Sequence, residues 1–203
     1  MIKSVSKRVA AIILAAGSSS RMGQSKQMLK VNGESLLTRT IGAFLNAGVS
    51  SPVVVLGANH QAHRELLKGL DVTIVFNDGW AKGMGSSLKA GLENLNSKVN
   101  SPDVVIVSVC DQPMLSADHI SKLLKKYQET GKPIVASSYS GKPGVPALFD
   151  RSCFSRLLAL GDEQGAKILM LQNPDDVATV EFPGGDVDLD TIEDYEAFVD
   201  PES

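Results

Sequence analysis

The sequence is poor in cysteine, has no excess of positive charge and carries no long apolar run, and each shortage removes a class of protein. Its two cysteines, Cys110 and Cys153, form neither a disulfide framework nor a zinc spacing. That suits a reducing, cytoplasmic setting. The net charge of -3 argues against a nucleic-acid partner, because such proteins show a basic excess. A small anionic ligand remains open to it, since a few local cations and backbone N–H groups suffice. No apolar stretch approaches the ~20 residues needed to span a bilayer, so no membrane partner is expected. Lys3, Lys7 and Arg8 precede an apolar run over residues 10–16. The run is short for a signal peptide and continues into a loop with its own chemistry.

What the chain does have is a globular composition and a regular alternation. Its 203 residues, 43% hydrophobic and 21% charged, suit one domain with a real core. The continuous apolar run 9–14 reads as a strand covered on both faces. In 35–47, Leu37, Ile41, Phe44 and Leu45 fall at helical spacing, and Gly48 ends the helix. Strands are expected at 53–56, 72–76, 104–109 and 134–137. Helices are expected at 61–68, 86–95 and 116–130. The last third is less regular: a turn and short strand over 141–149, helices over 152–160 and 165–171, a strand over 177–182 and a closing helix over 191–199. Strand–helix alternation predicts an α/β fold, a three-layer, Rossmann-like and mostly parallel sheet with helices on both faces. No internal repeat or linker interrupts it, so a single domain is expected over 1–203.

Ligands of such sheets bind beyond the carboxyl ends of the strands. The segment Leu14-Ala15-Ala16-Gly17-Ser18-Ser19-Ser20-Arg21-Met22-Gly23-Gln24-Ser25-Lys26 leaves the first strand at such an end. It is far longer than the usual connection of about 2–6 residues. Gly17 and Gly23 let the backbone bend and approach a ligand closely. Ser18, Ser19 and Ser20 add hydroxyl donors, and successive N–H groups can form an anion nest. Arg21 and Lys26 bring two cations. This is not a Walker loop, because no Lys-Ser/Thr follows the second glycine. The physical reading is an anion site, with a solvated strand–helix connection carrying incidental charges as the alternative.

Three further features stand out. Asn77-Asp78-Gly79-Trp80-Ala81-Lys82-Gly83-Met84-Gly85-Ser86-Ser87-Leu88 lies between a strand and a helix, and half-imitates a dinucleotide fingerprint without its third glycine. Trp80 reads equally as a stacking platform for a ligand and as a packing residue. Asp111 stands at the end of the 104–109 strand, where a carboxylate can hold a hard cation or simply begin the turn before Pro113. Residues 188–195 are acid-rich and read as a helix start that caps itself and complements its own dipole. His60 and His63, three residues apart and without a third ligand, read as a surface helix face. Cys110 reads as a small core hydrophobe.

Taken with its motifs, the chain resembles the MobA/MocA-like nucleotidyltransferases of the GT-A-like group. The loop matches Leu-x-x-Gly-x-x-x-Arg-Met-Gly-x-x-Lys, Asp111-Gln112-Pro113 matches an Asp-x-Pro metal motif, and Asp188-Leu189-Asp190-Thr191-Ile192-Glu193-Asp194-Tyr195 matches an acidic C-terminal motif with Ile192 in place of proline. The resemblance implies that the loop wraps a nucleoside triphosphate, with Arg21 on the terminal phosphates and Lys26 on the α-phosphate. It implies that Gly83, Met84, Gly85, Ser86 and Ser87 approach the base, and that Asp111 and Asp190 hold Mg²⁺. Lys26, Arg21 and Asp111 would then be the catalytic residues. Segments 144–149 and 161–167 would border the acceptor, with Val145 where His is usual. Lys142 and Lys167 are candidate acceptor contacts, or plain solvated charge. The resemblance is closest to the molybdenum-cofactor cytidylyltransferase branch. This implies CTP as donor, molybdopterin or another phosphorylated compound as acceptor, and a molybdenum hydroxylase as client. Ala16 stands where guanylyl-transferring relatives carry glycine, and its methyl favours a pyrimidine. The alternatives are transfer to a sugar or alcohol phosphate, and a non-catalytic cofactor chaperone.

Overall fold

The computed structural model describes residues 7–19, 22–97, 99, 101–187, 189 and 191–199. Its centre is β1 (Val9–Ala15), whose apolar run is buried because both faces are covered. Alternate side chains go to opposite sides, as strand geometry requires. Ala11, Ile13 and Ala15 join one core with Leu37, Ile41 and Phe44 of α1 (Leu36–Asn46) and Ile120 and Leu123 of α4 (Ala117–Thr130). Ile12 and Leu14 join the other with Leu88 and Leu92 of α3 (Met84–Asn96) and Leu157 of α5 (Phe154–Leu158). Three layers result: helices, sheet, helices.

The main sheet has seven strands. The others are β4 (Val53–Leu56), β5 (Thr73–Phe76), β6 (Val104–Val109), β7 (Ile134–Tyr139), β8 (Lys142–Asp150) and β9 (Val177–Glu181). Their order is β5-β4-β1-β6-β8-β7-β9. All neighbouring pairs are parallel except those of β8, which runs antiparallel to both β6 and β7. The mostly parallel α/β sheet is therefore as the alternation predicts. The short strand expected over 141–149 is instead nine residues long and central. Ser140 and Gly141, both at positive φ, turn the chain straight from β7 into it. The Val145–Pro146 bond within β8 is cis.

Helix ends follow local chemistry. Ser35 caps α1 by accepting from the Thr38 N–H, and Ser116 caps α4 by accepting from that of His119. Gly131, in the left-handed region, ends α4. α2 (His60–Leu66), α6 (Lys167–Gln172) and α7 (Ile192–Val199) complete the helices among the described residues. None is long and apolar enough to cross a membrane. A second small sheet pairs β2 (Lys30–Val31) with β3 (Glu34–Ser35) across an Asn32-Gly33 turn, both residues at positive φ. It packs a third cluster, Met22, Leu29, Val31, Leu36 and Leu189, beside the loop that leaves β1.

Candidate functional site

Because β1 and β6 are parallel neighbours, with Leu14 opposite Val109, their carboxyl ends open side by side. The loop after β1 and the Cys110-Asp111 step after β6 thus border one cleft of about 380 Å³. Leu14, Val109, Cys110 and Asp111 form its floor. Ala16, Gly17, Ser18 and Ser19, with Lys26 and Gln27, form one wall. Trp80, Ala81, Gly83, Met84 and Ser87 form the other.

The first wall is tied down from beneath. Gln27 is 4% exposed, and its amide nitrogen donates to the carbonyl oxygens of Ala15 and Gly17, at 3.3 and 3.2 Å. Ser19, at positive φ, accepts the Lys26 N–H on its hydroxyl at 3.0 Å. The Lys26 ammonium is thereby carried over the floor to 3.6 Å from the Asp111 carboxylate. Both side chains are partly shielded, which strengthens their interaction over that of a surface pair.

Asn77 organises the second wall. This buried amide donates to the hydroxyls of Ser86 and Ser87, at 2.9 and 3.0 Å, and accepts the Gly79 N–H at 3.0 Å. Gly83, at φ 125°, starts α3 against the backbone of Asp162 and Glu163. Gly85 is packed so closely that a Cβ would lie 2.2 Å from the Gly161 carbonyl oxygen. The two walls meet at Gly57, where a Cβ would lie 2.5 Å from the Trp80 Cβ and 2.7 Å from the Ala16 carbonyl oxygen.

Of the residues the sequence nominated, Leu14, Ala16, Gly17, Ser18, Ser19, Lys26, Gly83, Met84, Ser87 and Asp111 come together at this cleft. Ala15 is buried at the strand end, Met22 turns into the third cluster, and Gly23 is exposed at positive φ. Gly85 faces the 161–164 segment, and the Ser86 hydroxyl is engaged by the carbonyls of Gly79 and Gly83. Ser20, Arg21, Asp188 and Asp190 lie outside the described residues. Leu189 donates its N–H to the Asp111 carbonyl oxygen at 3.5 Å. Lys142 and Lys167 are exposed and do not line the cleft. Sequence reasoning passed over Gln27 and Gly57, and named Asn77 only as the start of the 77–88 segment without giving it a role. Only the Asn77-Asp78-Gly79 turn signal could have pointed to the last.

Cys110 is buried as expected. Burial, then the Asp111 charge, push its thiol above its ordinary value, with Lys26 opposing. The surface helix face read for His60 and His63 needs correction. His60 packs its ring on Phe76, but His63 is fully buried and meets the Ser25 hydroxyl. Helix periodicity over so short a segment does not reveal which face the preceding loop covers.

No cluster of three potential metal ligands occurs among the described residues. One carboxylate facing a cleft beside a lysine suits an ion such as Mg²⁺, which takes one or two carboxylates and completes its shell with water and phosphate oxygens.

A cleft at the carboxyl ends of a parallel sheet, with a glycine-serine wall, a lysine and a carboxylate, is the architecture of a nucleotidyltransferase. The chain belongs to the family of the MobA-like NTP transferase domain, whose model matches residues 11–177. Among its relatives, purine catabolism protein PucB of Bacillus subtilis is 28% identical, over 91% of this chain and 93% of its own. Nicotine blue oxidoreductase of Paenarthrobacter nicotinovorans is also 28% identical, over 91% and 93%. Molybdenum cofactor cytidylyltransferase of Escherichia coli is 26% identical, over 91% and 92%. A nucleotidyl transferase from Methanothermobacter thermautotroptrophicus superposes with a TM-score of 0.80 at 25% identity, covering 96% of this chain and 97% of that one.

Proposed function

We propose that this nucleotidyltransferase transfers CMP from CTP to the terminal phosphate of molybdopterin, releasing pyrophosphate, with Mg²⁺ held by Asp111 and Asp190. The observation that carries the reading is the Lys26–Asp111 pair, 3.6 Å apart where β1 and β6 end together. It sets a cation and a carboxylate at the mouth of a wall suited to phosphate. The similarity to the Escherichia coli cytidylyltransferase supports cytidylyl transfer. Ala16 lines the cleft, and an alanine there, where a glycine would leave more room, supports a pyrimidine over a purine.

In this reading an acceptor phosphate oxygen attacks the α-phosphorus of CTP. The new P–O bond forms as the bond to the β-phosphate oxygen breaks, and pyrophosphate leaves with the electron pair. An ionised phosphate needs no strong general base, so the protein mainly positions and neutralises. Lys26 offsets charge on the α-phosphoryl group, Arg21 on the departing pyrophosphate, and the 17–19 backbone cradles the phosphates. Mg²⁺, when bound, would supply charge neutralisation to the phosphate oxygens. The product would pass to a molybdenum hydroxylase client.

Pyrophosphate release with CTP and Mg²⁺, with and without molybdopterin, tests this. Release that depends on the pterin is expected, and Asp111→Ala should abolish it. Equal release from GTP would remove the donor assignment. Release with an alcohol phosphate instead would move the acceptor to the alternative. A cofactor chaperone would bind the pterin and release nothing. The oxidoreductase name carried by one relative is answered in the same assay, since only transfer yields pyrophosphate.

A further inference from the structure

Below the first wall lies a set of hydrogen bonds whose directions can be worked out from one end. The carbonyl oxygens of Ala15 and Gly17 only accept, so the Gln27 amide nitrogen faces them. Its Oε1 must then face the serines, and the Ser25 hydroxyl, 2.6 Å away, must donate to it. Having given its one proton to Gln27, Ser25 can only accept from the His63 Nε2, 2.5 Å away. His63 therefore carries a proton on Nε2. No partner stands at Nδ1 among the described residues to receive a second proton. Burial first, and His60 beside it, hold its pKa below the ordinary histidine value in agreement.

Ser25 and Gln27 flank Lys26 in sequence. Ser25 occupies the N-cap position of the short 3-10 turn Lys26–Met28, yet its side chain makes no cap bond there. Its hydroxyl is engaged in this chain of bonds instead. The Lys26 N–H is held in turn by Ser19. The backbone under the lysine is thus anchored at three consecutive residues, and the last anchor is on α2, outside the cleft lining.

We propose that His63 is a positioning residue for the triphosphate end of the cleft, acting through Ser25 and Gln27 to set the Gly17 backbone and the Lys26 ammonium. The inference rests on the reading of this cleft as a triphosphate site. His63 touches neither the cleft nor any reacting atom; it supplies a fixed N–H donor from a rigid helix. The donor is what matters, and a glutamine, whose amide nitrogen can reach the place of Nε2, should replace it.

The test compares wild type with Ser25→Ala, His63→Leu and His63→Gln. Affinities for CTP and for inorganic tripolyphosphate are measured by calorimetry, with thermal unfolding recorded for each. Ser25→Ala and His63→Leu are expected to weaken both ligands at least fivefold while remaining folded, and His63→Gln to stay within about twofold of wild type. The Ser25→Ala/His63→Leu double variant should bind no worse than the weaker single one, because the bonds act as one chain. Folded Ser25→Ala and His63→Leu variants that bind both ligands within twofold of wild type would overturn the proposal. So would a folded His63→Gln as weak as His63→Leu. If His63→Leu does not fold, Ser25→Ala decides alone. Wild type that binds neither ligand would sink the triphosphate reading of the cleft, and this inference with it. Where wild type binds, the variants bear on His63 alone.

Discussion

At Gly17 an added Cβ would meet nothing within 4 Å, whereas at Gly85, on the far side of the same cleft, it would come within 2.2 Å of the Gly161 carbonyl oxygen. One glycine borders open space and the other borders protein. The first turn leaves its backbone open to the cleft and is stiffened from below by Gln27 and Ser25. The second is built to be approached by its own chain: the 161–164 segment packs under Gly83 and Gly85, and Asn77 ties the turn across its top. Glycine-rich turns of like appearance can thus border open space in one place and packed chain in the other.

The sharpest way to separate the two walls is to remove the charge that only the first one carries. Lys26→Ala should lower turnover by about 10²- to 10³-fold, roughly 3–4 kcal/mol of transition-state stabilisation, with a small change in unfolding temperature. Steady-state pyrophosphate release checks this; turnover within a few-fold of wild type would take Lys26 out of the chemistry. On the second wall the effect should fall on stability. Gly85→Ala forces a methyl into backbone and should cost about 3 kcal/mol in urea unfolding. A neutral result there would mean that the 161–164 segment yields easily and the contrast is false.

The support of the second wall can also be probed by acid. The segment runs on into α6, which packs on β8, and β8 is pinned by a buried histidine on α4. The His119 Nε2 lies 2.7 Å from the Ser137 hydroxyl, which donates to the Pro146 carbonyl oxygen at 2.6 Å. Burial above all, helped by Lys122 and opposed by Asp118, lowers the His119 pKa to about 4. The unfolded ring titrates near 6.5, so between these values only the unfolded chain takes up the proton. Stability from this group is complete above about pH 6.5 and falls as the pH drops toward 4, by at most about 3 kcal/mol. Denaturation at several pH values should show that slope, and His119→Gln should flatten it.

The smallest effect is the most selective. Gly17→Ala should leave the unfolding temperature unchanged, since nothing in the protein meets the new methyl. It should weaken CTP about tenfold, roughly 1.4 kcal/mol, if phosphates occupy that space. Unaltered affinity would show that ligands do not approach Gly17, and the comparison between the walls would lose its functional half.

Much of this was legible because it is local. The β1 run is apolar at every position since both faces are buried, and Ser35 and Ser116 mark helix starts through their own hydroxyls. The loop after β1 announces itself by length and by Gly, Ser and Lys. The role of β8 was not legible. Its Pro143, Gly144 and Pro146 are residue types that strands disfavour, and only pairing with β6 and β7 makes the segment a central strand. Gln27 escaped notice and His63 was read as part of a surface face, because a buried amide and a buried imidazole leave no periodic trace. Their meaning lies in partners: Ala15 and Gly17 for the one, Ser25 for the other.

By itself the sequence determined the α/β alternation, the place of the loop beyond β1, and the nomination of Lys26 and Asp111, because apolar period, turn chemistry and charge act over a few residues. Tertiary structure alone decided that Lys26 and Asp111 stand 3.6 Å apart, that Gly17 opens on space while Gly85 is filled, and that His63 lies beneath the loop. Those facts depend on which strands become neighbours and which helix covers which loop. Distances between residues far apart in the chain exist only once the whole sheet has closed.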